Sequence, residues 1–125
     1  MATMVDAADE APCTAAHLFD IVWETIADVI GTAATATLVR RSAKRLSDRN
    51  RDLASVTITR EGLEYRYSVP DDWKAAQDRP VAALRELARE LSPLLVELTG
   101  PVLIRRLHSV GDLKRCQILF QERPE

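Results

Sequence analysis

Glycine is scarce. Four in 125 residues leave little material for a phosphate-cradling loop. None of the motifs G-x-x-x-x-G-K-[ST], G-x-G-x-x-G, G-x-S-x-G or H-E-x-x-H occurs, which counts against the common nucleotide-binding folds, α/β-hydrolases and zincins. Histidine is scarcer. His17 and His108 stand 91 positions apart (108 − 17) in no metal-ligand spacing, so no metal or cofactor is expected. Each lies near a predicted helix end, where capping or a surface role is the default. Two cysteines, Cys13 and Cys116, sit near opposite ends of the chain. Without partner spacing they are expected to be unpaired and reduced, as in an intracellular protein. Cys116, in "RCQILF", reads as core and Cys13 as exposed. No run reaches the ~18 continuous apolar residues of a membrane span. The acidic start, "MATMVDAADEAPCTAAHLFD", lacks the basic and apolar regions of a signal peptide. A cytoplasmic location with no membrane contact follows as the expectation.

Charge of one sign is not in excess. Lysine and arginine number 17, aspartate and glutamate 19, for a net charge of −2. Dedicated nucleic-acid binders are usually basic. The apolar fraction of 46% is that of an ordinary soluble domain. A chain of this length suits one domain burying roughly two thirds of its unfolded surface. Residues 1–13, small and acidic, read as a disordered lead-in, and 14–125 as a single α+β domain.

The pattern predicts three to five helices packed on a small antiparallel sheet. Thr14 is placed to cap a helix running to about Ile30, with Phe19, Val22, Trp23, Ile26, Val29 and Ile30 inward and Asp20, Glu24 and Asp28 outward. Beyond Gly31 the apolar face becomes Ala36, Val39, Ala43 and Leu46. At about 100° per residue the stripe shifts by more than a quarter turn. That predicts a break at Gly31, with Thr32 or Thr35 capping a second helix. "LASVTITREGLEYRYSVP" reads as a β-hairpin at about 53–69, since Ala54, Val56 and Ile58 alternate with polar residues, as do Tyr65, Tyr67 and Val69. A turn centred on Glu61-Gly62 pairs Ile58 with Tyr65, Val56 with Tyr67 and Ala54 with Val69. "PDDWKAAQDRP" reads as a connection with a helical turn capped by Asp71. A further helix opens with Pro80 at its first position, carries Val81, Leu84, Leu87, Ala88 and Leu91 inward, and ends at Gly100. Pro93 predicts a kink or restart after Ser92. On its exposed side Arg85, Glu86, Arg89 and Glu90 read as i,i+3 and i,i+4 pairs. "PVLIRRL" is taken as helix and "CQILFQ" as a terminal strand.

Little of this is chemistry. Asp71 and Asp72 could be paired carboxylates, but their position favours a cap. The conspicuous feature is "ATLVRRSAKRLSDRNR", which holds Arg40, Arg41, Lys44, Arg45, Arg49 and Arg51 against one acid, Asp48. It could grip phosphates, and with the hairpin as a wing it suggests a winged-helix analogy. That analogy has apolar anchors offset by one position, and a recognition helix starting "TAATAT", poor in base-reading side chains. A solvated helix face, or a surface for an acidic protein partner, explains more, because the basic arc lies opposite the apolar arc. Leu94, Leu95, Val96, Leu98, Val102, Leu103, Ile104 and Leu107 form a dense apolar stretch that suggests an interface. The leading expectation is therefore a non-enzymatic protein-interaction or signalling-type module with no catalytic residues, self-associating as a homodimer. The alternatives are nucleic-acid binding through residues 40–51, and a small-molecule sensor with a pocket of Trp23, Tyr65, Tyr67 and Trp73. Catalysis of an unfamiliar kind is the minority reading.

Overall fold

The computed structural model describes residues 13–121. The expected lead-in lies outside them, save Cys13. Among the described residues five helices, α1 (Ala15–Leu46), α2 (Arg51–Ala54), α3 (Asp78–Thr99), α4 (Val102–His108) and α5 (Gly111–Arg115), pack with a hairpin of β1 (Thr57–Glu61) and β2 (Glu64–Ser68). A 3-10 turn, Asp71–Lys74, follows β2. The fold is α+β, as expected.

Thr14 caps α1, its hydroxyl accepting from the His17 N–H at 3.3 Å. The expected break is present: Gly31 has φ 85° and ψ 163°, outside helical space, while helix continues on both sides. The bend lets each arm bury its own stripe. Phe19, Val22, Trp23 and Ile26 are buried before it, and Ala36, Val39, Ala43 and Leu46 after it. Val29, assigned to the apolar face, is 37% exposed because it lies in the turn just before the bend. Neither threonine caps the second arm. Thr35 donates its hydroxyl back to the Gly31 carbonyl at 2.7 Å, and Thr32 accepts from the hairpin instead.

The hairpin is shorter than predicted, and its register is shifted by two. Glu61 pairs with Glu64, Arg60 with Tyr65 and Ile58 with Tyr67. The loop is therefore the two residues Gly62-Leu63, with Gly62 at φ 66°, the usual glycine position of a II′ hairpin. Strand periodicity is two, so a shift of two moves the pairing without turning any side chain over. Ile58, Tyr65 and Tyr67 stay on the half-buried face. Ala54 drops out because "RDLA" winds into α2, with the Asn50 side chain accepting from the Asp52 N–H at 3.1 Å.

The core lies between α1 and α3, closed by the shorter elements. Trp73, Phe19, Leu53, Leu84, Leu91 and Leu95 are essentially inaccessible. α3 begins two residues earlier than predicted, so Pro80 is its third position. It runs through Pro93 without a restart. Pro93 is exposed and the buried stripe Leu84, Leu87, Leu91 and Leu95 continues past it, so packing outweighs the one lost backbone hydrogen bond. Gly100 ends the helix, donating its N–H to Val96 at 2.8 Å. In the 3-10 turn Asp71 makes no cap. Its neighbour Asp72 accepts from Arg79 at 2.8 Å. Nor do the α3 charges pair among themselves as expected: Arg85 donates to the Cys116 carbonyl at 3.1 Å, and Glu90 pairs with Arg45 at 3.1 Å.

"PVLIRRL" is helical, as expected, but "CQILFQ" is not a strand. After α5 the chain turns at Gln117 and runs on irregularly. Ile118 and Phe120 are buried and Leu119 is exposed, which reproduces strand alternation without a partner strand. Polar contacts hold it: the Ile118 N–H donates to the Leu113 carbonyl, His108 Nε2 meets the Phe120 carbonyl, and the Gln121 N–H donates to Ser92 Oγ. The expectation of reduced, separate thiols is also overturned. Cys13 and Cys116 form a disulfide across 103 positions, with Cα atoms 5.9 Å apart. Folding, not sequence spacing, brings the two ends together. Beside it Asp112 accepts from His17 at 3.1 Å and from Arg115 at 3.3 Å, which holds its carboxyl below the usual carboxylate range. The thiol-based ground for a cytoplasmic location is thereby removed.

Candidate functional site

The bend in α1 creates the features that look able to bind something. Because the two arms diverge at Gly31, the hairpin can lie across the elbow. Its anchor is the Tyr65 N–H, which donates to Thr32 Oγ1 at 3.1 Å. A groove opens on each side of the hairpin.

The first groove, about 380 Å³, lies between the second arm of α1, α2 and β1. Ala43, Leu53, Val56 and Ile58 supply apolar lining, and Arg40 and Lys44 stand over it. Arg40 and Lys44 are one helical turn apart and so share a side of α1. No carboxylate lines the groove. Arg40 makes one long contact, 3.5 Å, to the Ile58 carbonyl. Lys44 makes no side-chain hydrogen bond or ion pair among the described residues.

The remaining cations of the basic segment go elsewhere. Arg45 pairs with Glu90 on α3, and Arg41 is exposed beside it on the helix. Arg49 and Arg51 line a separate cleft of about 670 Å³ with Asp52, Asp72, Arg79 and Glu86. In that cleft Arg79 is held by Asp52 at 3.2 Å and Asp72 at 2.8 Å. Six cations continuous in sequence are thus divided among three surfaces, two of which already hold acids.

The second groove, about 490 Å³, lies between the first arm of α1 and β2. Trp23, Tyr65 and Tyr67 line it, three of the four aromatics expected to form a pocket. Trp73 does not; it is fully buried and meets Phe19 edge-on at 6.0 Å, with its indole N–H unpartnered. Tyr67 packs on Phe19 at 4.7 Å and on Trp23 at 5.2 Å between centroids. Its hydroxyl donates to the Asp20 carboxylate at 2.5 Å. Burial, then the Asp20 hydrogen bond and the Asp20 and Glu24 charges, pushes the phenol well above its ordinary value. Glu24 and Glu64 also line this groove. They were not singled out from the sequence. The only signal was that Asp20 and Glu24 lie four apart on the outer side of α1, while Glu64 adjoins Tyr65.

Among the described residues no group of three or more His, Cys, Asp or Glu is arranged to hold a metal ion. By length and mean hydropathy α1 could cross a bilayer, but its bend and its buried stripes make it the central helix of the core. No protein-family model, no curated protein and no solved structure matches this chain.

Proposed function

We propose that this chain is a non-catalytic binding module that docks an acidic, partly apolar segment of a partner protein in the groove beneath Arg40 and Lys44. The observation that carries the reading is the pairing of two under-committed cations with an apolar lining and no acid. A segment alternating carboxylate and aliphatic side chains would satisfy both. Its acids would meet Arg40 and Lys44, and its apolar groups would cover Val56 and Ile58, the half-buried part of a lining whose floor is Ala43 and Leu53. Area removed from water stabilises at about 25 cal/mol per Å², and exposed charge pairs add at most about 1 kcal/mol each. Binding should therefore be modest and should weaken with salt.

Nucleic acid fits less well. A duplex needs cations tracking its phosphates, whereas Arg45, Arg49 and Arg51 stand among Glu90, Asp52, Asp72 and Glu86. A helix-turn-helix also uses a turn of three or four residues, and here a single residue leaves helical geometry. Self-association has less surface behind it than the sequence suggested. Leu95, Leu103, Ile104 and Leu107 are buried and Leu94 and Val96 pack against the core, which leaves Leu98 at 58% and Val102 at 61% exposure. Two side chains fall far short of the roughly 1,200–2,000 Å² of a stable interface.

The test is fluorescence anisotropy with a labelled peptide of alternating glutamate and leucine, beside a labelled duplex DNA. The peptide should bind, and the double variant Arg40→Glu, Lys44→Glu should lose it. Tighter binding of the duplex, or an undiminished double variant, would overturn the reading.

A further inference from the structure

The second groove differs from the first in charge and lining, and what it could hold does not depend on the partner-docking proposal. Three aromatic rings line it, Tyr65 and Tyr67 half-buried and Trp23 almost wholly buried. Trp23 and Tyr67 stand at 52° to each other with centroids 5.2 Å apart, and Tyr65 adds a third. The faces of such rings are electron-rich and attract a cation placed over them.

The electrostatics point the same way. Glu24 and Glu64 line the groove and make no hydrogen bond or ion pair among the described residues. Arg66, the one cation in the lining, is turned to Glu61 at 3.1 Å on the neighbouring strand. Asp20 lies just behind Tyr67 and accepts its hydroxyl proton. The phenol of Tyr67 is raised first by burial and then by its hydrogen bond to Asp20, and the Asp20 and Glu24 charges add in the same direction.

A small inorganic cation would not use the rings, and among the described residues no cluster of three ligating side chains is arranged to dehydrate it. A bulky organic cation uses both parts of the site. Its methyl or methylene groups cover the rings, and its diffuse charge is balanced by the carboxylates without requiring their full desolvation.

We infer that the groove between the first arm of α1 and β2 binds an alkylammonium group, seated against the half-buried rings of Tyr65 and Tyr67 with Trp23 beneath them, and balanced by Glu24 and Glu64. Such a group occurs on free metabolites and on methylated lysine side chains; the chemistry recognised is the same.

The experiment titrates the full chain with choline, with its uncharged isostere 3,3-dimethylbutan-1-ol, and with sodium chloride at matched ionic strength. The readout is tryptophan fluorescence: Trp23 lines the groove, and Trp73, which does not, is a constant background. Choline should give a saturable change, and sodium none. Choline should bind about fivefold or more tightly than the isostere, and Glu24→Gln with Glu64→Gln should weaken it by a similar factor. Both glutamates are exposed, so the variant should fold. A trimethyl-lysine peptide binding above choline identifies a protein tail as the source; choline binding above the peptide identifies a free small molecule. Equal responses to choline and isostere, a response to sodium alone, or an unchanged double variant would overturn the assignment.

Discussion

Replacing Gly31 with alanine should destabilise the protein without any steric clash. At φ 85° and ψ 163° the residue lies where a Cβ-bearing residue is strained, at a cost of about 1–3 kcal/mol. Crowding adds nothing, because a Cβ built there meets no atom within 4 Å. Alanine also restricts the unfolded chain, which returns about 0.4–1 kcal/mol. The net loss should be about 1–2 kcal/mol. With an unfolding entropy near 2.1 cal/mol/K per residue, that lowers Tm by about 4–8 °C. Gly111→Ala is the control. Gly111 opens α5 without a positive φ and has the same open space, so this change should be neutral or slightly stabilising. Calorimetry on both variants reads the difference. The Tyr65 amide should lose protection from hydrogen exchange in Gly31→Ala, since straightening α1 draws Thr32 away from it. If the two alanine variants melt alike, the elbow does not depend on the backbone freedom of Gly31, and the two grooves do not owe their shape to it.

Reducing the Cys13–Cys116 disulfide opens a loop of 103 positions. Chain entropy gives that closure an upper value of about 4.7 kcal/mol, so Cys13→Ser with Cys116→Ser should lower Tm by up to about 18 °C; two titratable thiols in unreduced protein would contradict the pairing. Tyr67→Phe should cost about 1 kcal/mol near neutrality, as the hydrogen bond to Asp20 is lost. Because burial and Asp20 raise the folded-state pKa of Tyr67, its contribution is fully present below about pH 10 and is lost as pH rises through the higher folded value. Alkaline unfolding of Tyr67→Phe should accordingly be less steep than that of the parent, and parallel curves would refute this. Trp73→Phe should leave choline binding intact, since Trp73 is outside the groove; loss of binding in a folded variant would move the site.

The break in α1 was legible because two apolar stripes, each periodic at 3.6, disagree in phase across one glycine. The hairpin faces were legible for a similar reason, since alternation survives a register error of two. The loop was not, because both Glu61-Gly62 and Gly62-Leu63 place a glycine in the turn, and only backbone pairing distinguishes them. "CQILFQ" alternates as a strand does because an extended segment lying on a core buries every second residue whether or not it has a partner. Pro93 looked like a stop, yet an exposed proline in a long helix costs less than abandoning the last turn and a half, which carries the fully buried Leu95. For the sites, residue types were visible and their grouping was not. The basic segment read as one feature, but its cations divide among three surfaces: Arg45 pairs with Glu90 on α3, and Arg49 and Arg51 line a cleft with Asp52, Asp72 and Glu86. Cys13 and Cys116 carried no local signal, since their proximity is a property of the closed fold.

The most direct check of the docking proposal is a charge exchange. Arg40→Glu with Lys44→Glu should lose the glutamate–leucine peptide and acquire affinity for the matching lysine–leucine peptide, while Arg49→Glu with Arg51→Glu should keep the parent's preference. If both double variants weaken the acidic peptide equally, and neither gains the basic one, the cations act only as a general positive field and the groove is not the docking site.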